Sequence, residues 1–209
     1  MEQDSTASKA LSRSQVRRQQ DIINAALAAF DQHGFERARI DDIAKQAGVA
    51  KGTVYLYFKN KEQLFHGVVR HVIEPALEQV KHVAAGETDC ASERLRQQVN
   101  AFGQLLSGHD FQVILRLLIS EGPNNPAIRS FYYHSIVAPG MRAFQQCLKE
   151  GEEKGEFKSG TGELCPQLLA GAPIVSAVWQ ILFADFSPLD IHTLINQQLS
   201  VFLEGVSAT

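Results

Sequence analysis

Residues 47–65, AGVAKGTVYLYFKNKEQLF, place the tightest limits on how this chain can fold. Gly48 suits a left-handed turn, the conformation that glycine adopts without steric cost. A short basic and aromatic segment follows, and Lys61 opens a new helical pattern. Val54 and Phe58 sit four apart, so both can face inward on one helix. Lys51, Thr53, Tyr57 and Lys61 are then left for an outside partner. Ammonium groups beside aromatic hydroxyls suit a phosphate backbone, so nucleic acid is the partner to expect.

The distribution of charge supports this. Residues 1–61 carry 10 Lys and Arg against 7 Asp and Glu, a sum of +3. The rest of the chain carries 10 against 16, a sum of −6, which together give the net −3. A positive head can meet a polyanion while an acidic body keeps the protein dissolved.

Before the 47–65 stretch, residues 1–11 are small and polar and read as a mobile arm, extended to residue 13 as a segment boundary. Ser12 followed by Gln15 resembles a capping box. Ile23, Ala26, Leu27 and Phe30 then recur at amphipathic-helix spacing until Gly34, after which Phe35 can fold back on the core. Arg13, Arg17 and Arg18 at the helix start are either a solvated face or phosphate contacts. A second helix spans about 39–47, with Ile40, Ile43, Ala44 and Ala47 inward and Asp41 and Asp42 in the first turn, where the dipole favours them. The short turn at Gly48 forces the next helix, about 51–58, to cross steeply, which makes a helix-turn-helix. Gly52 near its start allows close approach to DNA, and its first amides suit a phosphate.

At these residues the chain resembles the DNA-binding domain of the tetracycline-repressor (TetR) family of bacterial regulators. The shared pattern runs G-F at Gly34 and Phe35, I-x-x-I-A at 40–44, A-G-V-x-K-G-T-V-Y-x-Y-F at 47–58 and K-N-K-E-x-L-F at 59–65. The resemblance implies an all-α fold of about nine helices: a three-helix DNA-binding domain at 14–60 and an effector-binding and dimerisation domain at 61–209. It implies that Lys51, Gly52, Thr53 and Tyr55 approach bases and that Tyr57 and Lys61 clamp phosphates. Arg17, Arg18, Arg39, Ile40 and Ala50 complete the expected DNA-facing set. Three positions depart from the family pattern. Arg39 stands where Ser or Thr usually caps helix two, Ala50 replaces a common Ser, and Leu56 replaces a residue that reaches phosphate.

The remainder reads as helical throughout. A fourth helix from Lys61 to about 82 carries Leu64, Val68, Val72 and Leu77 inward and is bent by Pro75. Residues 84–89 break the pattern. A fifth helix ends near Gly108 and a sixth at 121–126. Asn125 and Pro126 then open a seventh, expected to bend at Pro139 and Gly140. Residues 151–163 read as a charged, glycine-rich loop. Leu164 to Ala184 is a run of 21 residues without charge, long enough to span a bilayer. It contains Gly171, Pro173, Ser176 and Gln180, and its flanks Glu163 and Asp185 are acidic. It therefore reads as a helix buried on several faces rather than a membrane span. A last helix covers about 188–205.

Catalytic patterns are scarce. The seven histidines form no HExxH and no i, i+4 pair, and the three cysteines have no CxxC spacing, so neither a metal nor another cofactor is expected. The odd cysteine count and the absence of an apolar leader fit a reducing cytoplasm. The body is instead rich in aromatics, enough to enclose a pocket. The expected ligand set is Phe102, Leu105, Leu115, Arg116, Leu118, Phe131, His134, Phe144, Trp179 and Phe183. The resemblance implies a homodimer held by the last two helices, with Val178, Leu182, Ile191, Leu194, Ile195 and Phe202 at the interface. The reading that emerges is a regulator bound to a double-stranded, near-palindromic operator and released by a small apolar or amphipathic effector. A DNA-binding protein without effector and a small all-α enzyme are the alternatives.

Overall fold

The computed structural model of the chain describes residues 12–84 and 89–208, with residues 76, 77 and 79–84 described as backbone only. The expected arm at 1–11, most of the break at 84–89 and the inward side of Leu77 lie outside the described residues. Two compact units are present, one ending at Val68 and the other beginning at Val69. The division falls inside a helix, eight residues beyond the boundary at 60 that the resemblance implied.

The first unit holds α1 (Arg13–Arg37), α2 (Ile40–Gln46), α3 (Lys51–Tyr57) and the opening turns of α4 (Lys61–Ala84). The capping box at its start is complete: Ser12 Oγ accepts from Gln15 N and Gln15 Oε1 accepts from Ser12 N. Ser12 and Arg13 thus belong to the helix and not to the arm. Gly34 interrupts α1 with φ 74° and ψ 170°, backbone that a residue with a Cβ rarely adopts. The chain can then turn Phe35 inward, where its ring lies 5.6 Å from those of Phe30 and Phe65, which are themselves 5.9 Å apart. Ile22, Ile43, Val54, Leu64 and Val68 complete a sealed core. Gly48 takes φ 67° in the turn between α2 and α3, and Val49 N bonds back to Ala44 O at 3.0 Å.

The second unit contains the rest of α4, α5 (Ala91–Ser107), α6 (His109–Glu121), α7 (Pro126–Tyr132), α8 (Ala138–Glu153), α9 (Gln167–Phe183) and α10 (Ile191–Val206). A π turn at Tyr133–Val137 joins α7 to α8 without a break, so the seventh helix foreseen in the sequence is one long rod with a widened turn. The widening begins six residues before Pro139. Asn125 caps α7 through Ile128 N, with Pro126 at the first position. The 151–163 segment is partly helical: α8 runs through Glu153, and a 3-10 turn at Thr161–Glu163 buries Thr161 and Gly162. Glu152 holds that turn by accepting from Gly160 N and Gly162 N.

Leu95 and Val99 of α5, Phe144 and Leu148 of α8, Leu169 and Ala172 of α9, and Ile195 and Leu199 of α10 form one core cluster. The uncharged run beginning at Leu164 is explained here. α9 buries Leu169, Ala170, Ala172, Pro173, Ser176 and Ala177 while leaving Leu168, Val175 and Leu182 exposed. No helix among the described residues is long and apolar enough to cross a membrane.

Candidate DNA-binding face and ligand cavity

The first candidate site is the outer face of α3. Val54 is 1% exposed and Phe58 7%, so the two inward residues anchor the helix as their spacing foretold. Lys51, Gly52, Tyr55 and Leu56 are exposed, while Thr53 and Tyr57 are half-buried at the edges of that face. Ala50 and Arg39 occupy the N-cap positions of α3 and α2, and neither provides a side-chain cap. Arg39, Arg17 and Arg18 are exposed, whereas Ile40 is half-buried.

Two lysines have partners that the sequence did not announce. Lys51 Nζ pairs with Asp41 Oδ2 at 2.9 Å, and that hydrogen bond holds the ammonium above its ordinary pKa. Lys61 Nζ donates to Glu36 O at 2.9 Å and Ala38 O at 3.4 Å, and lies 4.7 Å from the centre of the Phe35 ring. Its charge thus closes the turn after α1, where carbonyls at a helix end attract a cation. Two of its three N–H donors thus already have acceptors inside the unit.

The second candidate site is a cavity of about 190 Å³ in the second unit. Ile73 of α4, Phe102, Leu105 and Leu106 of α5, and Phe111 and Leu115 of α6 form one side. Tyr132, the π-turn residues Ile136 and Val137, and Gly140, Met141 and Phe144 of α8 form the other, with Ile174 of α9. Among the described residues, the walls are apolar apart from the Tyr132 hydroxyl. Burial pushes that phenol well above its usual range, so it stays protonated. An engineered apolar cavity of about 150 Å³ stays dry and binds benzene, so this one is large enough for an apolar ligand.

Of the ligand residues expected from the sequence, the cavity brings together Phe102, Leu105, Leu115 and Phe144. Leu118 lines a neighbouring open groove instead. Arg116, Phe131, His134, Trp179 and Phe183 are not on the cavity wall. His134 and Phe183 are exposed, Trp179 stacks edge-on against Phe183 with its indole N–H on Ser187 O, and the Phe131 ring sits under Arg70. Three of the lining residues that sequence reasoning missed, Tyr132, Ile136 and Gly140, recur every fourth residue along the α7–α8 rod, in step with the expected Phe144. That spacing was visible, but it is also the spacing of plain core.

The residues expected at a dimer contact differ in their exposure within the protomer. Ile191 and Ile195 are 8% and 1% exposed and pack inside the protomer, Ile195 against Gly103. Leu194 and Phe202 lean on the same core, and Val178 is half-buried. Of the named set, Leu182 is open, at 57%.

Two short helices joined by a tight turn at Gly48, with a polar and aromatic outer face on the second, and a further helical unit with an apolar cavity define a DNA-binding regulator of the helix-turn-helix class. The profile described as "Bacterial regulatory proteins, tetR family" matches residues 22–68, and that of the "AefR-like transcriptional repressor, C-terminal domain" matches residues 93–205. The chain belongs to the tetR family, in agreement with the resemblance at 22–65. It is 31% identical over 191 residues to the fatty acid metabolism regulator protein of Bacillus subtilis, covering 88% of this chain and 93% of that protein. The crystal structure of the transcriptional regulator FadR from Bacillus subtilis in complex with stearoyl-CoA superposes with a TM-score of 0.75 at 26% identity, covering 89% of this chain and 98% of that one. The flavonoid-responsive regulator FrrA superposes with a TM-score of 0.68 at 26% identity, covering 92% and 98%.

Proposed function

We propose that the protein is a homodimeric repressor, released from a near-palindromic operator when an amphipathic ligand with a long apolar chain enters the cavity of the second unit. The observation that carries this reading is the cavity itself: fourteen described residues line apolar space, with a single polar side chain among them. The similarity to a regulator whose complex holds stearoyl-CoA favours an acyl chain over a compact ring. Lys51, Gly52, Thr53 and Tyr55 read bases, while Tyr57, Arg17, Arg18 and Arg39 contact phosphates. Two protomers meet through Leu168, Val175 and Leu182, which lie seven apart along one side of α9, together with exposed Val201 of α10. The protein works in the cytoplasm and carries out no catalysis.

Release requires that the ligand prefer the conformation with wrongly spaced heads. Moving the population from 1:99 to 99:1 needs a preference of about 10⁴-fold, and a ligand that binds both states equally changes nothing. The test is anisotropy of DNA from upstream of the protein's own gene, titrated with protein at several salt concentrations and then with stearoyl-CoA. Steep salt dependence and ligand-driven release support the reading. Binding that ignores salt removes the DNA role, and DNA binding that no apolar ligand alters leaves a regulator controlled by a partner.

A further inference from the structure

Next to the cavity, α6, the α6–α7 connection and the α7–π segment form an open groove of about 530 Å³. Leu118, Ile119, Gly122, Pro123, Arg129 and Tyr133 line it. Leu115, Tyr132 and Val137 line both spaces, so these three residues are the partition, the boundary where the apolar chamber meets the open groove.

The polar groups are distributed unevenly across this partition. Among the described residues that line the cavity, Tyr132 alone carries a side-chain oxygen or nitrogen, and it stands at the boundary with the groove. Its hydroxyl has no hydrogen-bond partner among the described residues, and burial is the only influence on its ionisation. Tyr132 is half-buried, and a phenol O–H at such a place gains by donating to an acceptor. In the groove, Arg129 is the single charged residue among the described lining residues. One of its N–H groups makes a long bond to Gly122 O at 3.4 Å, which leaves most of a guanidinium's five donors unspent among the described residues. From inside to outside the order is apolar chamber, lone hydroxyl donor, cation.

We propose that chamber and groove form one site for an acyl ester or thioester with an anionic head, and that Tyr132 recognises the acyl carbonyl. This rests on the reading of the cavity as the effector site. The hydrocarbon tail fills the chamber, the carbonyl oxygen accepts from Tyr132 Oη at the partition, and the head lies in the groove towards Arg129. A hydrocarbon of equal length gains the tail contacts but leaves the hydroxyl unpaired, so the site distinguishes acyl compounds from other greasy chains. The π turn directly after Tyr132 keeps the rod continuous while placing Val137 on the partition and Ile136 on the chamber wall.

The experiment is a two-by-two comparison on the full-length protein by calorimetry. Wild type and Tyr132→Phe are each titrated with stearoyl-CoA and with its S-octadecyl thioether analogue, which lacks only the carbonyl oxygen. Loss of one neutral hydrogen bond should weaken stearoyl-CoA about fivefold in Tyr132→Phe and leave the thioether unchanged. Arg129→Gln should weaken stearoyl-CoA while leaving methyl stearate, which has no anionic head, unaffected. Equal loss for thioester and thioether, or no loss for either, overturns the role of Tyr132. Wild-type protein that fails to bind stearoyl-CoA overturns this inference, while release of DNA by another apolar compound leaves the proposed function standing. Binding of stearoyl-CoA with the expected selectivity but without release of DNA sinks the proposed function and keeps the site.

Discussion

Lys61→Met separates two roles that one side chain can hold. The resemblance assigns Lys61 to a phosphate, but the structure gives its ammonium the carbonyl oxygens of Glu36 and Ala38 and the face of Phe35. Hydrogen bonds from a charged donor contribute about 1.5–3 kcal/mol each when sheltered, and a cation over an aromatic face about 0.5–1. The bond to Glu36 is exposed and the one to Ala38 long, so solvent screening cuts the total to about 1–2 kcal/mol. Methionine keeps the length and apolar stem of the side chain, which confines the change to the charge. Amide hydrogen exchange should show the last turn of α1 opening about 5- to 30-fold more readily, the equivalent of 1–2 kcal/mol. A lysine that neutralises one phosphate also contributes about 0.9 to the slope of log affinity against log salt. If carbonyl binding dominates, that slope is the same in Lys61→Met and wild type. Unchanged exchange together with a slope lowered by about one would refute the structural role and restore the phosphate clamp.

Three further outcomes are expected. Asp41→Asn frees the Lys51 ammonium and removes a negative charge beside the DNA-facing helix, so operator affinity should rise a few-fold with a steeper salt slope; lower affinity would mean that Asp41 orients Lys51 for binding. Glu156 is burdened by burial, but bonds from Ala91 N and Ser92 N at the start of α5 outweigh it and leave its pKa below the ordinary 4.5. A depressed carboxylate stabilises the fold above its unfolded value and ceases to as pH falls through the folded one; acid unfolding should therefore show a loss below about pH 4.5 that is absent in Glu156→Gln. Leu182→Arg places a charge on the exposed side of α9 and should give monomers in sedimentation with the fold intact, whereas Ile195→Ala should cost about 2–5 kcal/mol in denaturant unfolding because it hollows the protomer core.

The first unit was legible because its signals are local. A cap and its partner three residues on, a glycine that must take positive φ, and two apolar residues four apart each act within one turn of chain. Ser12, Gly34, Gly48, Val54 and Phe58 accordingly behave as their sequence context requires. Asn125 and Pro126 mark the start of α7 for the same reason. Lys61 was not legible, because its acceptors lie 23 and 25 residues away and are backbone atoms that any sequence supplies.

In the second unit the sequence determined that helices form and that several are apolar on more than one side. It did not determine what each side meets. A helical period records only that a residue avoids water, and core, cavity and partner all satisfy that condition equally. Ile195 and Leu182 look alike in sequence, yet one is sealed inside the protomer and the other is open. Phe144 and Trp179 are both large aromatics on apolar helices, yet the first faces the cavity and the second binds a loop carbonyl. Tyr132 is one tyrosine of a Tyr-Tyr pair, and only the packing of α5, α6 and the α7–α8 rod decides which of the two is turned into the chamber. The DNA-binding family was therefore fixed by contacts near in sequence, and the ligand site by contacts far apart in it.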